Sequence, residues 1–99
     1  PPLIMTYFVY MLKNIDRKNI KTYVGFTNDI GERLKKHNSN KGAKSTKGYK
    51  WIVIFKKRFI NKNKALSYEY SLKKDKKERL KLLNEFIKSK NKNSNNFTL

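Results

Sequence analysis

Residues 6–12 (TYFVYML) are β-branched, aromatic or long apolar side chains, with neither Gly nor Pro among them. In an extended chain successive side chains point to opposite faces, so a run without polar alternation has to be covered on both sides. That requirement makes residues 6–12 the expected central strand of a sheet sandwiched between other elements. A chain of 99 residues supplies one modest core, and therefore one domain, to do the covering.

The remaining pattern is read around that strand. The polar stretch 14–21 leads to residues 22–27 (TYVGFT), a second β-rich run, and a hairpin with a loop longer than two residues is the simplest link. Asn28 and Asp29 are N-cap candidates for a helix running to about Asn38, with Asp29 and Glu32 complementing its dipole. Residues 38–48 (NSNKGAKSTKG) lack an apolar period and are expected as an exposed cationic loop. Residues 51–55 (WIVIF) form a third strand. After a polar break at 61–64, helices are expected over 65–74 and from Asp75 to about Lys88, where Leu80, Leu83, Phe86 and Ile87 recur at helical spacing. The order β-β-α-β-α-α implies an α+β domain, a three-stranded antiparallel sheet flanked by helices, over residues 6–90. Residues 1–5 read as an N-terminal extension with Met5 as the natural start, and residues 91–99 as a polar C-terminal tail that frays.

Charge narrows the partners. With 25 Lys plus Arg against 7 Asp plus Glu, the formal net charge is +18. Two explanations compete, an AT-rich coding sequence that over-supplies Lys, Asn and Ile, and a polyanionic partner. The second is favoured, because a surface this self-repelling weakens the compact state unless a partner offsets it. With no Cys, disulfides, thiolate nucleophiles and cysteine-held zinc are excluded. The apolar start is too short for a signal peptide or a membrane span, so no membrane partner and an intracellular setting are expected.

Among the seven carboxylates Glu69 stands apart. At about 100° per residue it points between Ala65, Leu66 and Leu72, on the face that should pack inward. A carboxylate there is tied to a Lys or Arg, rotated to the core's edge, or kept to bind a cation, and from the helix alone the ion pair leads. Arg33 and His37 stand four residues apart beside Ile30 and Leu34, so they can reach one site. Arg is scarce, at positions 17, 33, 58 and 79 only, and its planar fork suits a fixed grip on phosphate. His37, the only His, reads by itself as a half-exposed helix residue. Tyr10 and Tyr23 could meet across adjacent strands over Gly25, although core packing explains two tyrosines equally well.

Taken together, Phe8-Val9-Tyr10, Tyr23-Val24-Gly25, Arg33, His37 and Glu69, in that order and on those elements, resemble the GIY-YIG nuclease family. The similarity covers about residues 6–74. The stretches TYVGFT, ERLKKHN, GAKSTK and ALSYEYSLKK look like the subgroup holding the catalytic subunit of the eukaryotic branched-DNA endonuclease and small stand-alone bacterial relatives. Phe8-Val9 replace the Gly-Ile of the family's first motif, and the Tyr is retained. The eukaryotic enzyme's cysteine-rich zinc module has no counterpart in a chain without Cys.

The resemblance implies a metal-dependent DNA endonuclease leaving 5′-phosphate and 3′-hydroxyl ends, structure-selective toward branched, flapped or nicked DNA. Glu69 would hold one Mg²⁺ or Mn²⁺. Tyr10, assisted by His37, would deprotonate the attacking water, Tyr23 would orient it, and Arg33 would stabilise developing charge. Asn84 is a candidate for the family's Asn beyond the Glu. Tyrosine, with a pKa near 10, is a poor base, so the role calls for nearby positive charge to lower it. Lys41, Lys44, Lys47 and Lys50 are expected to touch DNA phosphates. The competing class is a non-catalytic basic nucleic-acid-binding module, which would have no use for Glu69. A sequence-specific homing or restriction enzyme would need recognition elements for which this length leaves little room.

Overall fold

The computed structural model describes residues 4–97, with side chains described through residue 91. The first three residues of the expected extension and the last two of the expected tail lie outside the described residues. Three strands, β1 (Tyr7–Asn14), β2 (Thr22–Thr27) and β3 (Trp51–Phe59), and three helices, α1 (Ile30–Asn38), α2 (Lys62–Lys74) and α3 (Lys76–Phe97), follow the expected order. The sheet is antiparallel throughout in the order β2-β1-β3, so the apolar run does occupy the centre.

The two faces of β1 build two cores. Val9 and Met11 pack with Val24, Ala65, Leu72 and Leu83, which brings α2 and α3 onto one face. Tyr10 and Leu12 pack with Trp51, joined by Tyr23, Ile30 and Leu34, which places α1 against the other. All four consecutive residues from Val9 to Leu12 are at most 1% exposed, the burial on both faces that period-two geometry demands of an unalternating run. An irregularity in the β1–β3 register falls between Met11 and Leu12. Bulges of this kind bend a strand and re-aim the side chains beside them.

Polar side chains set the element ends. Asp29 Oδ1 accepts from the Glu32 amide at 3.1 Å and caps α1 as expected. Asn61 does the same for the Lys64 amide at 3.0 Å, so α2 begins at Lys62, inside the expected polar break. A cap decides where a helix starts even when the first turn carries no apolar residue. Strand β3 runs four residues beyond WIVIF, through the exposed Lys56, Lys57 and Arg58. Charge on an edge strand blocks pairing with another chain without preventing pairing to β1. Helix α3 continues to Phe97, into the segment expected to fray, because extending an existing helix adds one hydrogen bond per residue fixed. Among the described residues no helix is long and apolar enough to cross a membrane.

Candidate active site

The site grows from the pairing of β1 with β2. Tyr10 is directly opposite Gly25 in the register. A Cβ at position 25 would land on the Tyr10 hydroxyl and ring carbons. The phenol therefore lies across a backbone left bare by glycine, in a space no other residue provides. Gly25→Ala forces a ring that is 1% exposed out of its slot, and overpacking of this kind is expected to cost about 3 kcal/mol, read as a lower urea midpoint with an unchanged m-value. A midpoint within experimental error of wild type would show that the ring has room to move.

Helix α1 delivers His37 to the Tyr10 hydroxyl. The imidazole is fully buried, with Nε2 2.8 Å from Tyr10 Oη and Nδ1 2.9 Å from Thr46 Oγ1. The direction of this chain follows from its far end. Thr46 Oγ1 donates its single proton to the Ala43 carbonyl at 2.8 Å, so toward His37 it can only accept. Nδ1 then carries the proton of the neutral ring, Nε2 is the bare acceptor, and Tyr10 donates to it. The phenol is thereby joined to a base whose tautomer is held by the loop.

Electrostatics keep both groups neutral at rest. Burial pushes the Tyr10 pKa up to about 12, a rise that the neighbouring Tyr23 and Glu69 reinforce and the Arg33 guanidinium beside the hydroxyl only partly offsets. Basic surroundings were expected to lower this pKa; desolvation outweighs them, because the phenol sits in the core and most of the lysines face water. His37 is shifted down from its ordinary 6.5, first by burial and then by the positive charge of Arg33.

The remaining residues approach the same hydroxyl from other elements. The Tyr23 ring centroid is 6.4 Å from that of Tyr10 and 4.9 Å from that of His37. Arg33, half-buried on α1, and Glu69, on α2, both act on Tyr10 through their charge. Glu69 lies on the inward side of α2, between the buried Ala65 and Leu72, whereas Leu66 turns 39% outward. Its carboxylate, 17% exposed, is paired with Lys73 at 3.1 Å, one turn on. The ion pair weighed from the sequence is thus present. Lys73 is itself 50% exposed, and a solvated pair of this kind holds its partner with at most about 1 kcal/mol. An open groove of about 300 Å³, lined by Thr22, Tyr23, Val24, Lys73 and Arg79, runs alongside. The lining Arg79 guanidinium donates to the Leu72 carbonyl at 2.8 Å and to that of Lys73.

Other expected residues sit apart. Asn84 is exposed on α3, and no hydrogen bond links it to the cluster among the described residues. Lys41, Lys44, Lys47 and Lys50 are exposed as expected, with Lys50 Nζ on the Asn38 carbonyl at 3.0 Å. The loop that carries them is not simply an exposed loop. Thr46 is fully buried, Gly42 passes so close to His37 that a Cβ would strike the ring, and residues 44–46 form a 3-10 turn. Asn38 clamps the start of β3, accepting from the Trp51 amide at 2.7 Å and donating to the Trp51 carbonyl at 3.1 Å. Trp51 Nε1 in turn donates to the Thr46 carbonyl at 3.0 Å. Thr46, Gly42 and Asn38 fall within the stretches GAKSTK and ERLKKHN that carry the family resemblance, but their roles as structural partners were not legible there. Polar composition hides a residue that is buried by hydrogen bonds rather than by apolar contact.

Comparison with known proteins gives one family. The model described as the GIY-YIG catalytic domain matches residues 6–84. A UPF0213 protein of Oceanobacillus iheyensis is 39% identical over 79 residues, covering 78% of this chain and 88% of its own. An uncharacterized protein of Acanthamoeba polyphaga mimivirus is 41% identical over 85 residues, covering 77% of this chain and 50% of its own. Among solved structures, the solution NMR structure of a UPF0213 protein from Bacillus halodurans is similar, at 32% identity and a TM-score of 0.47, covering 81% of this chain and 84% of that one.

Proposed function

Because the chain belongs to the GIY-YIG family, we propose that it is a metal-dependent DNA endonuclease, selective for branched, flapped or nicked structures. The observation that carries the reading is the Tyr10–His37–Thr46 chain, which aims the acceptor nitrogen of a buried histidine at a phenol. Core packing alone does not require that arrangement.

In this reading Tyr10 relays a proton. As its oxygen takes the proton of the attacking water, its own passes to His37 Nε2, so no free phenolate is needed and the raised pKa of Tyr10 is no obstacle. Arg33, beside the same hydroxyl, would stabilise charge growing on the phosphate, and Tyr23 would orient the water or the phosphate. Glu69 would hold a divalent cation, Mg²⁺ or Mn²⁺. No group of three or more His, Cys, Asp or Glu that could hold a metal occurs among the described residues. One carboxylate suits a hard cation that keeps several waters and takes other ligands from substrate phosphates. Such a cation supplies Lewis-acid polarisation of a phosphate oxygen.

The direct test is cleavage of a panel of labelled flap, junction, nicked and duplex DNAs with Mg²⁺, with Mn²⁺ and with EDTA. Metal-dependent scission of the branched members, lost in Arg33→Ala, is the expected result. Binding without scission under every condition would return the chain to the class of basic binding modules.

The lysines of residues 41–50 lie in the segment that folds over His37, and their role is to hold the phosphates of the same substrate. Removing two phosphate contacts with a Lys44→Ala/Lys47→Ala double variant lowers the slope of log K against log salt by about 2. Equal slopes for variant and wild type would make these charges bystanders.

A further inference from the structure

The loop between β1 and β2 frames a second concave site, away from the Tyr10 hydroxyl. It is a depression of about 450 Å³ lined by Arg17, Lys18, Asn19, Ile20, Lys21 and Tyr49. The Arg17 guanidinium carbon and Lys21 Nζ each lie 4.5 Å from the centre of the Tyr49 ring. Arg17 spends one donor on the Gly48 carbonyl at 2.8 Å, and Lys21 spends one on the Ser45 carbonyl at 3.1 Å. Guanidinium has five N–H groups and ammonium three, so both keep donors for an incoming anion. The Asp16 carboxylate, 4.0 Å from Arg17 Nε, is at the limit of pairing. Ile20, 51% exposed, and the neighbouring Ile15, 57% exposed, give the loop an apolar surface.

The loop is held in shape from beneath. Asn14, 1% exposed, donates to the Asn19 carbonyl at 2.9 Å and accepts from the Lys21 amide at 2.8 Å. An aromatic ring, an apolar side chain and three cations thus share one depression. Its chemistry matches a nucleotide whose base is free of a partner. A planar base would stack on the Arg17 guanidinium, itself 4.5 Å from the Tyr49 ring centre, and against Ile20, with its phosphate meeting the cations. A base inside a duplex has both faces stacked and cannot enter.

We propose that this depression binds an unpaired nucleotide of the DNA substrate and so provides the preference for branched over plain duplex DNA; this rests on the endonuclease reading. The two sites share one segment. Ser45 and Gly48 anchor Lys21 and Arg17, and Thr46, between them, holds His37.

The test is equilibrium binding in EDTA, where no cleavage occurs, using a flap whose single strand carries 2-aminopurine and a fully paired duplex of equal length and label. Wild type should change the fluorescence of the flap only. Tyr49→Leu and Arg17→Gln should weaken flap binding about tenfold, and duplex binding less than about twofold. Ile20→Ser, at an exposed position with little packing to lose, keeps the test valid if Tyr49→Leu fails to fold, and should show the same selective loss. Equal losses on both DNAs, or no fluorescence response in wild type, overturn the proposal in favour of a generic cationic surface. Selective binding by a protein that cuts nothing with Mg²⁺ would instead overturn the endonuclease reading and leave this site standing.

Discussion

Glu69→Gln is expected to reduce cleavage of branched DNA by about a thousandfold, because the amide keeps the shape of the side chain and removes the carboxylate charge beside the tyrosines. Stability should hardly move. The substitution gives up the pair to Lys73, a partner half-exposed to water, and such pairs contribute at most about 1 kcal/mol. Raising Mn²⁺ should restore part of the rate, since an amide in place of the carboxylate weakens cation binding and excess metal refills the site by mass action. Initial rates on a labelled flap, with thermal melting as the fold control, make the measurement. Cleavage within a few-fold of wild type by a folded Glu69→Gln protein would sink the metal assignment while leaving the proton chain untouched.

His37→Ala should strike the fold and the chemistry together. The ring is fully buried, and its loss leaves a cavity beneath residues 42–46 and removes the acceptor for Tyr10 and the donor for Thr46. Cavity and orphaned partners together are expected to cost about 3 kcal/mol. Cleavage should fall by about a hundredfold or more through loss of the proton acceptor. The pH dependence separates these effects. His37 is neutral in the folded state with a pKa below its ordinary 6.5, so on acidification the unfolded chain binds a proton before the folded one does. Wild-type stability is therefore undiminished by this group above 6.5 and declines as pH falls from there toward the lower folded-state pKa, while activity is lost only at that lower pKa, where Nε2 of the folded protein becomes protonated. In His37→Gln, which can still hydrogen-bond, that acid decline in stability should flatten although much of the fold is retained. An unchanged acid limb in a folded His37→Gln protein would assign the titration elsewhere.

The residues that sequence reasoning located best are those whose chemistry clashes with their pattern. Glu69 stood out as a carboxylate on an apolar helical face, and the structure does place it between buried Ala65 and Leu72. Arg33 and His37 were paired by helical spacing, which is local geometry and survives folding. Tyr10 and Tyr23 carried no such mark, because an aromatic in a buried strand is unremarkable until the register sets it over a glycine. His37, taken alone, reads as a half-exposed helix residue, and it is fully buried because the loop that directly follows α1 turns back over it, with Gly42 and Thr46 against the ring.

What the sequence determined by itself is the scaffold. An unalternating apolar run has to be central, capping residues start the helices where they stand, and 99 residues close one α+β domain around them. These are consequences of local geometry and burial, which act residue by residue. What tertiary structure alone decided is the protonation logic of the site. The Ala43 carbonyl orients Thr46, Thr46 selects the tautomer of His37, and His37 receives the proton of Tyr10, although these residues span positions 10 to 46 of the chain. Burial then keeps the phenol protonated despite a net charge of +18, because desolvation acts at the buried atom while exposed lysines are screened by water.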